Sequence, residues 1–236
     1  MTKLITFSTS DLEAIDMFPP VPAGKVIPEW YKDTPIEVPE IEPYTKPHTP
    51  TIKRCVPVLD YMTTGYVIRA TYEVQVKEYV DSKFITDFDY RCRNTDKHVG
   101  KHPWHQAQFK AEDGKKHHYL KINQPWHIQT PPGYSCMLFD PYYRFRKEYS
   151  LFPGVVDTDK HNEPIGLVGL VKEKSFTILP GDPLVVVFPF KRDDWQMNIN
   201  HMQMKDEWAR SSFKYRLSTY WAGIYATLFH SKKTYR

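Results

Sequence analysis

A chain of 236 residues with 41% hydrophobic and 25% charged side chains is ordinary for a soluble globular protein and long enough to bury a core. The net charge of +4 comes without a run of five or six Lys/Arg, which excludes an obvious nucleic-acid arm. Three cysteines without Cys-x-x-Cys spacing (Cys55, Cys92, Cys136) argue against a disulfide framework or zinc knuckle and predict buried free thiols; no stretch approaches the ~18 apolar residues that span a bilayer.

Residues 1–50 read as a proline-rich extended arm. After a strand-like start at Leu4–Phe7, prolines follow at 19, 20, 22, 28, 35, 39, 43, 47 and 50. Proline fixes φ and removes a donor, so neither helix nor central strand is expected there. Phe18, Val21, Val26, Ile27, Trp30, Tyr31 and Tyr44 supply apolar anchors. An arm of this kind must lie against its own domain or a neighbouring subunit, and a crossing onto a neighbour is the arrangement we expect.

From Ile52 the pattern turns to strands, and residues 51–200 read as one β-rich domain. Gly65–Val76 largely alternates and is rich in β-branched and aromatic residues, with Lys83–Tyr90 as its hairpin partner. Tyr119–Ile122, Trp126–Gln129, Tyr134–Phe139, Gly166–Val171 and Leu184–Phe190 supply further short strands. Asp113-Gly114, Pro132-Gly133, Pro153-Gly154 and Pro180-Gly181 mark turns between them. Many short strands at this spacing imply a sandwich or barrel. The last segment, 201–236, changes period. Trp208, Leu217, Tyr220, Trp221, Ile224, Tyr225 and Leu228 fit an amphipathic helix over about 204–230, acidic at its start and basic past its end.

Three motifs stand in order between Pro131 and Phe190. Pro-Pro-Gly-Tyr-Ser (131–135) leads to Phe-Pro-Gly-Val-Val-Asp-Thr-Asp (152–159), then to Ser-Phe-Thr-Ile-Leu-Pro-Gly-Asp-Pro-Leu-Val (175–185). That order resembles the core of the dUTPase / dCTP-deaminase family, with its "P-x-G-Y" strand entry, "G-x-I/V-D-x-D" hairpin and "F-x-I-x-x-G-D" turn. The resemblance covers about a quarter of the chain. It implies a mostly β fold, the β-clip or double-sheet barrel; a cupin-like jelly roll is the rival. It also implies that Asp157 is the carboxylate that would polarise an attacking water. The family's phosphate-binding serine and glycine are missing from Phe139-Asp140-Pro141-Tyr142-Tyr143-Arg144, and Lys160-His161 replaces the aromatic that excludes a 2′-hydroxyl. The glutamine that follows the Gly-Asp turn is absent too, and a helix stands where the family has a mobile glycine-rich tail.

A wider pattern joins Ile-Pro-Glu-Trp-Tyr-Lys (27–32), Thr-Ile-Lys-Arg-Cys-Val-Pro-Val-Leu-Asp (51–60) and Trp-His-Ile-Gln-Thr-Pro-Pro-Gly-Tyr-Ser (126–135). It resembles an uncharacterised family of phage and bacterial proteins, which implies a viral origin but assigns no activity.

Other clusters have plain explanations. His98, His102 and His105 have metal-ligand spacing for a helix, but Gly100 and Pro103 interrupt that helix; with His117, His118 and His127 they read as surface histidines. Asp157 and Asp159, two apart, would project to one strand face, where they could hold Mg²⁺ or accept turn hydrogen bonds. Lys191-Arg192-Asp193-Asp194-Trp195 reads as a solvated, self-paired edge. Tyr142-Tyr143-Arg144-Phe145-Arg146-Lys147 mixes rings with cations, as a base-stacking phosphate site or a subunit interface does.

Two functions follow as expectations. The first is a non-catalytic, dUTPase-like oligomeric module, a homotrimer or higher homo-oligomer. It would be made soluble in a host cytoplasm and built into a phage virion as a head decoration, neck or tail component. Its interface residues would be Trp30, Tyr31, Tyr142, Tyr143, Trp208 and Trp221, with no cofactor, no metal, no membrane and no clear nucleic-acid contact. The second is a Mg-dependent deoxynucleotide pyrophosphohydrolase or deaminase-like enzyme. There Asp157 and Asp159 would activate water, and Arg144, Lys160 and Tyr142 would hold nucleotide and phosphate.

Overall fold

The structure is a computed structural model that describes residues 3–38, 49–83, 86–92, 98–107, 118–201, 205–206, 208 and 230–236. It is mostly β, with several antiparallel sheets; the described strands close into no barrel. In chain order, β1 (Thr6–Ser8), α1 (Leu12–Met17) and β2 (Val21–Pro22) precede α2 (Glu29–Asp33), β3 (Glu37–Val38), β4 (Thr49–Pro50) and α3 (Val56–Thr63). Then come β5 (Tyr66–Arg69), β6 (Val74–Val80), β7 (Thr86–Cys92), β8 (Val99–His102), α4 (Trp104–Ala107), β9 (Tyr119–Asn123) and β10 (His127–Gln129). The rest are β11 (Tyr134–Phe139), β12 (Tyr149–Leu151), β13 (Gly154–Val156), β14 (Gly166–Val171), β15 (Ser175–Ile178) and β16 (Pro183–Lys191).

Contacts divide the chain into two units, residues 1–26 with 65–192, and residues 27–64 with 193–236. These units cut across the linear division at 50 and 200. In the larger unit, one sheet has the order β13-β11-β16-β5-β2, a second β12-β14-β9-β8, a third β15-β6-β7, and β1 pairs with β10. Alternating strands bury one face each: β14 buries Leu167, Gly169 and Val171, and β15 buries Phe176 and Ile178. Ile68, Cys136 and Val187 from the first sheet meet Leu120 and Leu167 from the second and Val76 and Phe176 from the third in one core. The continuous apolar run Leu184–Val187 is buried on both faces, because Val186 and Val67 pack behind it on Ala23.

Several local expectations are corrected. The arm holds helices, since proline is tolerated at helix entries: Pro28 caps α2 and Pro57 opens α3 in a stretch read as strand. Asp11 caps α1, its side chain accepting from the Ala14 N–H at 3.0 Å. Proline-bearing β2 lies at a sheet edge, as its missing donor requires. Gly65–Val76 is two strands interrupted at 70–73, while the hairpin of β6 with β7 forms with Val80 opposite Thr86. Pro153-Gly154 makes no turn, as Gly154 opens β13. Cys55 is exposed, unlike the buried thiols of Cys92 and Cys136. The helix expected over 204–230 and the Asp113-Gly114 turn lie outside the described residues, apart from fragments of the former. No helix among the described residues is long and apolar enough to cross a membrane.

In the smaller unit, β3 pairs with β4, and Tyr31 is buried with its hydroxyl on the Lys53 carbonyl. His230 Nε2 lies 2.9 Å from both carboxylate oxygens of Asp60, and Lys233 reaches the same group. Burial pushes Asp60 up, but the hydrogen bonds from Lys233 and His230 outweigh it and hold the carboxyl below its usual range.

Candidate functional site

The Asp157/Asp159 pair is placed by strand register. Strand β11 lies between β13 and β16, with Cys136 opposite Val156 and Ser135 opposite Phe190. One step past these pairs, Asp157 leaves β13 beside Ser135. Arg192, just beyond β16, donates its backbone N–H to the Gly133 carbonyl at 2.9 Å. Gly133 has φ +83° and turns the chain into β11, a left-handed conformation that favours glycine. Three strand ends thus deliver Ser135, Asp157 and Arg192 to one place.

Arg192 is the centre of the cluster. Its guanidinium donates from Nη1 to Asp159 Oδ1 at 2.9 Å and from Nη2 to Asp159 Oδ2, a bidentate fork. Nη1 also meets Ser135 Oγ at 2.8 Å, the Tyr134 carbonyl at 3.1 Å and Asp157 Oδ1 at 3.1 Å. Ser135 Oγ donates to Asp157 Oδ1 at 2.7 Å, and the Gly133 N–H donates to Asp159 Oδ2 at 2.8 Å. Beneath them Thr130 donates to the Tyr134 carbonyl at 3.1 Å, and its oxygen lies 2.7 Å from that of buried Thr158. The two aspartates stand in the turn after β13 rather than on a strand face, and their partners come from distant segments rather than from their own turn.

These contacts favour ionised carboxylates. The Arg192 hydrogen bonds, helped by the Gly133 N–H, push Asp159 down to about 2. The Ser135 hydroxyl, with Arg192 and Lys160 nearby, holds Asp157 below the usual carboxylate range. The Asp159 side chain is only 6% accessible, and that of Asp157 is 53% accessible. A general base works best with a pKa near the working pH. Asp157 is shifted the other way, and its Oδ1 already accepts from Ser135 and Arg192.

Acid titration should expose the lock. An aspartate with a folded pKa of about 2 against an ordinary 3.8 adds stability that is complete above about pH 4 and is lost as pH falls through about 2. Asp159→Asn should therefore flatten the loss of thermal stability between about pH 4 and 2, and Asp157→Asn should do so less. Equal wild-type and Asp159→Asn slopes in that window would mean the fork is not holding.

Of the other proposed nucleotide ligands, Lys160 stands beside this pair, while Arg144 lines a cavity to which the pair does not contribute. Arg144 donates to the Val26 carbonyl and, with Phe145, Arg146, Lys147 and Tyr149, lines a cavity of about 400 Å³. None of Ser135, Asp157, Asp159 and Arg192 lines it. Arg146 stacks on Tyr149 at 4.2 Å and pairs with Asp140 at 3.3 Å. Tyr142 is exposed and meets Tyr143 edge-on at 5.2 Å; Lys160 is exposed in the turn beside Asp157. Trp30 is half-buried and Trp208 exposed, while Trp221 lies outside the described residues.

The histidines disperse. His98 stacks on Tyr72 at 4.6 Å, His118 lies 3.7 Å from Asp87, and His127 contacts the Asn162 carbonyl at 2.7 Å; His117 lies outside the described residues. No group of three His, Cys, Asp or Glu among the described residues could hold a metal ion.

Arg192 is the residue local pattern missed, because it stands in a run of charges that looks self-paired. Its one signal was position: an arginine one residue past the last strand, with two acidic residues two apart in need of a bidentate partner. No family model matches the chain, and no curated protein matches it significantly.

Proposed function

We propose that this chain is a non-catalytic β module, related in plan to the dUTPase-like β-clip proteins, that acts as an oligomeric structural component of the kind phage heads, necks and tails are assembled from. The observation that carries it is the Arg192 lock. The carboxylates that would activate water are instead bound to an arginine and a serine from neighbouring strands, which makes them weak bases and strong structural ties. The separation of Arg144 from Asp157 supports the same view, since phosphate and attacking water must meet within one pocket for hydrolysis. The β-clip part of the proposal is supported by the three motifs ending on or beside β11, β13 and β16, neighbours in one sheet, although the third begins on β15 of another sheet.

Incubation with dUTP, dCTP and the other deoxynucleotides in the presence of Mg²⁺ should release neither pyrophosphate nor ammonia above background, for wild type and Asp157→Asn alike. Turnover that Asp157→Asn abolishes would overturn the proposal. It would establish instead a Mg-dependent nucleotide enzyme in which the half-exposed Asp157 leaves its arginine to activate water.

A further inference from the structure

The segment just past the last strand carries a pattern that the single chain does not use. Residues 194–200 read Asp-Trp-Gln-Met-Asn-Ile-Asn, apolar at every second position and polar between. That is the signature of a strand with one dry face and one wet face. Yet the segment belongs to no helix or strand, and Trp195, Met197 and Ile199 are 89, 86 and 82% exposed. Scattered exposed apolar side chains are normal, but three large ones at period 2 would line one edge of the segment once it is extended, the mark of an interaction surface.

A matching surface exists on the same chain. Val155 in edge strand β13 stands opposite Met137 in β11, and Met137 stands opposite Phe188 in β16. Val155 and Met137 are exposed and Phe188 is half-buried, so an apolar stripe crosses three strands on the outer face of the sheet. At about 4.8 Å per strand the stripe spans about 10 Å, and at about 3.3 Å per residue a stretched Trp195–Ile199 spans about 13 Å.

We propose that Trp195, Met197 and Ile199 of one copy of this chain lie across the Val155–Met137–Phe188 stripe of a second copy, so that each copy gives an arm and receives one. The occupant is a second copy because all three side chains are more than four-fifths exposed, and because area favours reciprocity. Trp195 brings an aromatic area of about 200 Å² and Met197 and Ile199 somewhat less each, while the stripe is already partly covered, so an arm and its stripe together hide roughly 700 Å². One such contact is below the size of a specific interface, and a reciprocal exchange doubles it to about 1,400 Å², within the standard range. The proposal rests on the oligomeric-module reading and gives it an interface.

The test is the mass of the native full-length chain by light scattering at micromolar concentration. Wild type should be an oligomer. Trp195→Ala alone should weaken association by about 30-fold per contact, and so by about 900-fold for the reciprocal pair, which loses a tryptophan hot spot at each arm. Trp195→Ala, Met197→Ala and Ile199→Ala together, or Val155→Lys on the stripe, should leave a folded monomer, with the melting transition checked by circular dichroism. Mixing the arm variant with the stripe variant should give a heterodimer weaker than the wild-type pair, detectable at higher concentration, because one of the two contacts remains. A monomeric wild type, or an oligomer indifferent to the arm variant, would overturn the proposal. Nucleotide turnover by an arm-dependent oligomer would sink the non-catalytic reading and leave the interface standing.

Discussion

Replacing Gly65 with alanine is expected to cost about 3 kcal/mol or more, which for a chain of this size lowers the melting temperature by about 6–12 °C. Two independent penalties meet at this position. Its φ is +73°, a left-handed conformation that costs a side-chain-bearing residue about 1–2 kcal/mol. A β-carbon there would stand 2.3 Å from the Val187 carbonyl oxygen and 3.2 Å from the Phe188 α-carbon. Both are backbone atoms of β16, which is bonded on both sides by β11 and β5, so neither can yield without breaking sheet pairing. Two other glycines calibrate the effect. Gly133 has φ +83° but open space around it, so Gly133→Ala should show the conformational penalty alone. Gly154 has neither problem, and Gly154→Ala should stay within about 0.5 kcal/mol of wild type. Denaturant unfolding of the three variants should rank them in that order; Gly65→Ala as mild as Gly154→Ala would contradict the packing of this turn.

Leu120→Ala should be of similar size, about 3–5 kcal/mol, in the upper part of the range for buried leucines. Leu120 is wholly inaccessible in the middle of β9, flanked by β8 and β14. Its register partner on β14 is Gly169, which has no side chain to swing into the vacated space. Nor can alanine be placed at 169 to refill it, as its β-carbon would lie 2.8 Å from the Ser150 carbonyl. The neighbouring Lys121 points to the solvent side of the same strand, and Lys121→Ala should change stability by no more than about 0.5 kcal/mol. Unfolding measurements showing Leu120→Ala no worse than Lys121→Ala would place β9 the other way round.

The β6/β7 hairpin was legible from residues alone, because Val74, Val76, Phe88 and Tyr90 alternate with polar residues and period 2 follows directly from one buried face. Tyr134–Phe139 and Gly166–Val171 have the same bounds in the sequence reading and in the fold, although their apolar residues do not alternate; short apolar runs between turn and polar segments marked them. The short helices were not legible. In α2 and α3 proline occupies the entry positions where helices tolerate it, and proline density looks like extended chain. Strands β8, β12 and β15 are three or four residues long, too short for a period to register.

The candidate site divides in the same way. The resemblance of 152–159 to a family hairpin motif singles out Asp157, and Asp159 joins it by spacing, since both residues lie in one local stretch. Their partner could only come from tertiary structure. Gly133, Ser135, Asp157, Asp159 and Arg192 are drawn from three separated segments, and it is the register of β13, β11 and β16 that brings them together. Local sequence determined which charges were present and which strands would form. Sheet order decided which charges would meet, because hydrogen-bond register joins residues by their place across strands rather than along the chain.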